Sequence, residues 1–171
     1  MDRLIERKKE RVIFCSHKRV FTVGEGEKKT FGVNEIKSDR GGSITYHDEG
    51  SLMVYFILKA PSPALFYRKV LKIFNKFFSL IDENIFYDHK KPGFYIENRK
   101  IASLGFRYKN GFSKHGVCIN LNPNLNEFNK IHPCNLKEIK ATSFEKEGYK
   151  YDRKKIVEFL KKEIENEFSK T

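Results

Sequence analysis

Three short segments of this 171-residue chain hold residue types that can do chemistry. The first is Arg40-Gly41-Gly42-Ser43-Ile44-Thr45-Tyr46-His47. A glycine pair beside Arg, Thr and His can turn backbone N–H groups towards an oxyanion or a phosphate. It matches neither a phosphate-binding loop nor a dinucleotide fingerprint, and on its own such a segment is commonly a tight turn. The second is Lys100, which opens the run Ile101-Ala102-Ser103-Leu104-Gly105 directly after a turn at Glu97-Asn98. A lysine there is ordinarily solvated; partly buried, its pKa falls and it serves as an acid or base near neutral pH. The third is His132-Pro133-Cys134-Asn135, where proline fixes the approach to a cysteine in a loop. That cysteine is a candidate nucleophile, the alternative being a small core residue. Cys118, within Val117-Cys118-Ile119, suits the core, and Cys15 closes a strand as a structural residue. Cys15-x-His17, His115-x-x-Cys118 and His132-x-Cys134 are pairs of zinc-type ligands, but their spacing fits no common structural zinc pattern, and no metal site is expected.

Alternating strands and helices must position these segments. Val12–Phe14 and Val20–Val23 read as short strands, and 38–42 as a loop. Leu52–Leu58 is apolar on both faces, as in a strand covered on both sides. Ser62-Pro63 signals a helix start, after which Phe66, Val70, Phe74, Phe77 and Ile81 recur at helical spacing. Phe94–Ile96 and Ile101–Tyr108 read as strands, Asn110-Gly111 as a hairpin turn, and Val117–Leu121 as the strand that continues the meander. Ile131–Asn135 falls in a loop. A last helix starts near Asp152 and aligns Ile156, Phe159, Leu160, Ile164 and Phe168. No linker interrupts the chain, so the expectation is one α+β domain over 1–171, a central mixed sheet flanked by helices.

Composition narrows the class. With 14% aromatic residues, including 16 Phe, the chain is not a disordered one. Its longest apolar run is too short for a membrane span, and the N-terminal residues are charged, without a signal-peptide pattern. Three cysteines without framework spacing read as reduced thiols in a cytoplasmic protein. The net charge is +12. Eleven Lys/Arg against four Asp/Glu between Phe66 and Lys114 account for +7 of it, whereas the stretch from Glu145 is nearly neutral. Such a stretch is either a solvated basic surface or a face for an acidic partner. No zinc-finger, helix-turn-helix or aromatic ribonucleoprotein signature accompanies it, so nucleic acid is not the expected partner.

Taken together, the segments carry a resemblance. Asp39-Arg-Gly-Gly-Ser-Ile-Thr-Tyr-His47, Lys100-Ile-Ala-Ser-Leu-Gly105, His115-Gly-Val-Cys-Ile-Asn-Leu-Asn122 and Phe128-Asn-Lys-Ile-His-Pro-Cys134 follow one another in the order and style of the lipoyl(octanoyl) transferases, the lipoate–protein ligase B type. The resemblance runs from about Arg11 to Phe144, and the 34-residue separation of Lys100 from Cys134 fits the family pattern. It implies the fold shared by biotin and lipoate ligases, with no cofactor. It implies Cys134 as the nucleophile that takes an octanoyl group from acyl carrier protein, and Lys100 as its acid/base partner. Arg40, Gly41, Gly42, Ser43, Ile44, Thr45, Tyr46 and His47, Ser103, Leu104 and Gly105, and Gly116, Val117 and Cys118 would line the acyl pocket. The acceptor would be the lysine of a lipoyl domain, in a 2-oxoacid dehydrogenase or the glycine cleavage system; neither nucleic acid nor membrane is implied.

Three departures accompany it. His47-Asp48-Glu49-Gly50-Ser51 replaces His-Gly-Pro-Gly-Gln and leans towards the ATP-using lipoate ligases. Asn135 replaces the glycine after the cysteine. The N-terminus is shorter than the family pattern by a strand and a helix, so the pocket is expected to be more open or completed by another subunit. The rival readings are an ATP-dependent lipoate or biotin ligase of the same fold, and a basic nucleic-acid-binding protein without catalysis.

Overall fold

The computed structural model describes residues 1–26, 32–128, 130–131 and 140–169. A larger sheet has the order β1 (Arg11–Cys15), β5 (Ser51–Ile57), β9 (Phe112–Asn120), β8 (Arg99–Lys109), β7 (Gly93–Ile96) and β6 (Phe86–Asp88). These strands are antiparallel, and β10 (Lys140–Ala141) pairs parallel with β8 at Arg99 and Lys100, which makes the sheet mixed. A smaller sheet joins β2 (Val20–Val23) to β3 (Glu35–Lys37) in parallel and to β4 (Ile44–His47) in antiparallel fashion.

Local chemistry sets the element ends. Ser62 caps α2 (Pro63–Ser79) by accepting a hydrogen bond from the Leu65 N–H at 3.3 Å, and Pro63 occupies the first turn, where no N–H is needed. Asp152 caps α4 (Arg153–Phe168), accepting from the Lys154 N–H at 2.8 Å. Asn110 and Gly111 both take positive φ, 50° and 76°, as a two-residue hairpin of the I′ type requires. The ladder β8·β9 therefore runs unbroken from the turn, and β9 starts at Phe112 rather than at Val117. Its polar first half, Ser113-Lys114-His115, concealed it. Helix α2 ends at Ser79, so Ile81 lies past the helix, half-buried against the core.

One face of the larger sheet buries the helical stripes. Phe66, Phe74, Phe77 and Phe78 of α2 pack with Leu160 and Ile164 of α4 on Val54, Phe56, Phe94, Ala102, Val117 and Ile119. The Phe78 and Phe94 ring centroids lie 4.4 Å apart, and Phe144 stacks on Phe77. Each such side chain contributes roughly 1.5–3 kcal/mol on burial. Across the helix pair, Lys72 and Lys76 meet Glu167 and Glu163.

The smaller sheet is tied to the opposite face. Gly41 N–H donates to the Phe106 carbonyl at 3.3 Å, and Arg107 pairs with Glu25. Its own small core holds Phe21, Val23, Ile44, Tyr46, Phe128 and Ile131. Among the described residues, no helix is long and apolar enough to cross a membrane.

Candidate active site

A cavity of about 1240 Å³ is lined by residues of both sheets. That exceeds the roughly 300–1,000 Å³ of ordinary small-molecule sites. The face of the larger sheet that lines it is short of side chains by construction. Strand alternation puts Met53 and Tyr55 of β5, Gly116 and Cys118 of β9, and Ser103 and Gly105 of β8 on the cavity side. Gly105 lies directly opposite Gly116. A Cβ on Gly116 would stand 1.9 Å from the Val54 carbonyl oxygen, and one on Gly105 3.0 Å from that of Gly41. Neither position accepts a side chain without moving backbone.

Lys100 reaches this cavity because of a bulge. The register between β7 and β8 shifts, pairing Phe94 with Ala102 but Tyr95 with Lys100. Ile101 and Ala102 then both enter the core, while Lys100 and Ser103 line the cavity. Bulges re-aim side chains in this way. The Lys100 stem lies over Gly93, where a Cβ would come within 2.3 Å of its Cε, and its Nζ stands 5.3 Å from the Tyr95 ring centroid. The Lys100 carbonyl accepts from Thr142 N–H at 2.9 Å, and Asn120 Nδ2 donates to the Thr142 carbonyl at 3.0 Å. The chain on either side of 132–139 is thereby anchored near Lys100: Phe128 and Ala141 line the cavity and Ile131 is buried. Cys134, with His132, Pro133 and Asn135, lies outside the described residues.

Arg40 shapes the roof. Its guanidinium donates to the carbonyls of Thr22 (2.6 Å), Gly41 (2.9 Å) and Ser43 (2.7 Å), and to Thr22 Oγ1. A planar fork with five donors suits three converging carbonyls. Gly42 takes φ of +88°, and Gly24 is packed so closely that a Cβ would stand 2.1 Å from the Gly42 carbonyl oxygen. The glycine pair thus forms a tight loop wedged onto β8.

The inner wall is polar, and its buried His47 and Cys118 are held neutral. His47 is buried; burial first, then the positive charges of Arg40 and His17, push its pKa down to about 3. Its Nδ1 is hydrogen-bonded to Cys118 Sγ at 3.4 Å. Burial pushes the Cys118 thiol up to about 12 and raises Cys15 as well, so neither is a ready thiolate. His17 Nε2 and the Tyr55 hydroxyl share a hydrogen bond of 2.6 Å. Among the described residues no three His, Cys, Asp or Glu side chains are grouped to hold a metal.

Of the segments read from sequence, Arg40 to Thr45, His47, Lys100, Ser103 to Gly105, Gly116 and Cys118 all line the cavity. Tyr46 and Val117 do not, which corrects their expected place in the pocket. Strand alternation turns Val117 into the helical core and Tyr46 into the core of the smaller sheet, both with no exposed surface. Cys118 is buried as expected, but against the cavity rather than in an apolar core. Sequence reasoning missed Met1, Asp2, His17, Tyr55 and Lys114 as lining residues. Tyr55 hides inside an apolar run, and only the register makes the others visible.

Comparison with known proteins decides the family. Residues 2–168 match the model of the lipoyl protein ligase A/B catalytic domain. The chain is 38% identical over 144 residues to an octanoyltransferase of Buchnera aphidicola subsp. Acyrthosiphon pisum, covering 78% of this chain and 67% of that one. It is 32% identical to the octanoyltransferase of Vibrio vulnificus, covering 92% and 76%. The chain belongs to the lipoyl protein ligase A/B family, on its octanoyltransferase side. In fold, the chain is similar to a chain of the archaeal bi-partite lipoate protein ligase from Thermoplasma acidophilum (TM-score 0.71, 12% identity, 98% and 76% covered). It is also similar to a lipoate-protein ligase A bound with ATP (TM-score 0.74, 13% identity, 98% and 78% covered). The chain spans about two thirds of the length of the first Buchnera relative and 62% of a Wigglesworthia glossinidia one.

The Asp48 departure has a local role in the fold. Asp48 Oδ1 accepts from Gly50 N–H at 2.9 Å, and Oδ2 accepts from the Tyr46 hydroxyl (3.0 Å) and from Asn124 N–H (2.9 Å). The carboxylate is spent on the β4–β5 turn and on the loop that leads to α3 (Leu125–Phe128).

Proposed function

We propose that the transferase takes an octanoyl group from octanoyl-acyl carrier protein onto Cys134 and passes it to the lysine of a lipoyl domain. In the first step the Cys134 thiolate attacks the donor thioester carbonyl. A new thioester forms, and the carrier's thiol leaves with a proton. In the second step the acceptor lysine's neutral amine attacks the acyl-cysteine. The amide forms, Cys134 leaves as thiolate, and the amine's proton passes to a base. Thioester exchange conserves bond energy and amide formation is downhill, so no nucleotide enters either step.

Lys100 is the group we assign to these protons. As an ammonium it favours the Cys134 thiolate by opposite charge and gives its proton to the departing carrier thiolate; as the neutral amine so formed it takes the proton of the incoming lysine. The observation that carries the reading is the bulge that turns Lys100 into the cavity, beside the anchored ends of the segment that holds Cys134. The acidic surface of a carrier protein suits the lysines at the cavity, among them Lys90, Lys91 and Lys37. We place the activity in the cytoplasm.

The test is octanoyl transfer from carrier protein to an isolated lipoyl domain, with and without ATP. Transfer that is independent of ATP and lost in Cys134→Ala is the expected result. Transfer only from free octanoate plus ATP would overturn the reading in favour of a ligase.

A further inference from the structure

The cavity has two chemically different ends, and the β8·β9 ladder runs between them like a ruler. Lys100 lies at one end. The rungs Ser103/Cys118 and Gly105/Gly116 follow, and Arg107/Lys114 marks the other end. From the first of these rungs to the last is about 13 Å at roughly 3.3 Å per residue. The middle of the track is a glycine floor flanked by Met53 and the Tyr55 ring of β5, which offer it apolar surface.

The far end is unlike the middle. Lys114 is buried, with 7% side-chain exposure, and its Nζ lies 2.8 Å from Asp2 Oδ2 and 2.7 Å from Asp39 Oδ2. His115 Nε2 is 2.6 Å from Asp39 Oδ1. His115 also takes a φ of +66°, unusual for a residue with a side chain, and its backbone N–H donates to Met1 Sδ at 3.4 Å. Met1 and Asp2 both line the cavity. They begin the short helix α1 (Asp2–Glu6), which is fastened by buried Ile5 against Ile57 and Phe112.

We propose that Met1 and Asp2, clamped by Lys114, are the end stop of the acyl track and set the longest chain the transferase accepts. The proposal rests on the acyl-transfer reading above. A chain that ends on the glycine floor is buried among apolar groups. A longer one must push the Met1 thioether aside and separate Asp2 from Lys114, leaving a buried ammonium with one of its two carboxylates gone. Discrimination should therefore fall sharply at one chain length, because an ion pair resists displacement where a flexible apolar wall would yield.

The test is competition between octanoyl- and dodecanoyl-carrier protein for the full chain, read as the ratio of products on a lipoyl domain. Asp2→Ala removes one carboxylate from a half-exposed position, and Lys114→Met removes the clamp. Each is expected to raise the dodecanoyl-to-octanoyl ratio by about tenfold or more. Lys109→Ala, which breaks only the outer 3.4 Å link to Asp2 away from the cavity, should leave the ratio unchanged. A wild-type ratio in folded Asp2→Ala and Lys114→Met proteins would overturn the end stop while leaving acyl transfer intact. A wild-type protein that transfers no acyl group would overturn the underlying reading, and the end stop with it.

Discussion

Strands β8 and β9 have two faces, and the same residues alternate between them. On the helical side, Ala102, Val117 and Ile119 meet aromatic side chains of α2 and are sealed from water. On the other side, Ser103, Gly105, Gly116 and Cys118 line the cavity. One face is packed for stability and its neighbour is kept open, with His47 and Cys118 held neutral. A fold that builds a cavity on a sheet forgoes the burial that the second face would have provided. The chain recovers part of it by laying the smaller sheet across the gap.

The two faces should separate in mutation. Lys100→Ala belongs to the open face: we expect kcat/KM to fall about 10²–10⁴-fold, the usual worth of a positioned acid–base group. Thermal unfolding should stay close to wild type. Lys100→Arg should not rescue, because a guanidinium does not give up its proton. Retained activity in either variant would break the contrast. Phe78→Ala belongs to the packed face. Phe78 is fully buried against Phe94 and Phe77, so denaturant unfolding should show a loss of about 3–5 kcal/mol. Its kcat/KM, measured where it remains folded, should hold.

Acid sharpens the contrast further. The folded pKa of His47 lies near 3, well below the roughly 6.5 of an unperturbed histidine. The unfolded chain therefore binds a proton that the folded one refuses, and stability falls as pH drops from about 6.5 towards 3. His47→Gln should flatten that part of the profile of thermal midpoint against pH; an unchanged slope would remove His47 as its source. Asp39 acts lower. Burial alone would raise its pKa, but the hydrogen bonds from Lys114 and His115 and their charge hold it at about 2. Its stabilising contribution is present above pH 3.8 and is lost as pH falls through about 2. Asp39→Asn should remove that smaller, more exposed component.

The packed face was legible in the sequence and the open one only in part. Ser62-Pro63, the Phe66–Phe77 stripe and Asn110-Gly111 each encode an element locally, and the structure places them as read. The cavity is encoded by absences and by register. Nothing local distinguishes Gly116 from a turn glycine, and the bulge that aims Lys100 depends on how β7 pairs with β8. Tyr46 and Val117 were misplaced because a contiguous motif was read as a contiguous surface, whereas alternate residues of a strand face opposite ways. Asp48 leans towards the nucleotide-using relatives in sequence, and only the fold shows its three hydrogen bonds in the β4–β5 turn.

The central claim is that Cys134, and neither Cys15 nor Cys118, carries the acyl group. Intact mass of the protein mixed with octanoyl-acyl carrier protein, without ATP, tests it most directly. The account predicts a single octanoyl adduct, removed by hydroxylamine and absent from Cys134→Ala. An adduct that persists in Cys134→Ala, or a wild-type protein that takes none, would contradict it.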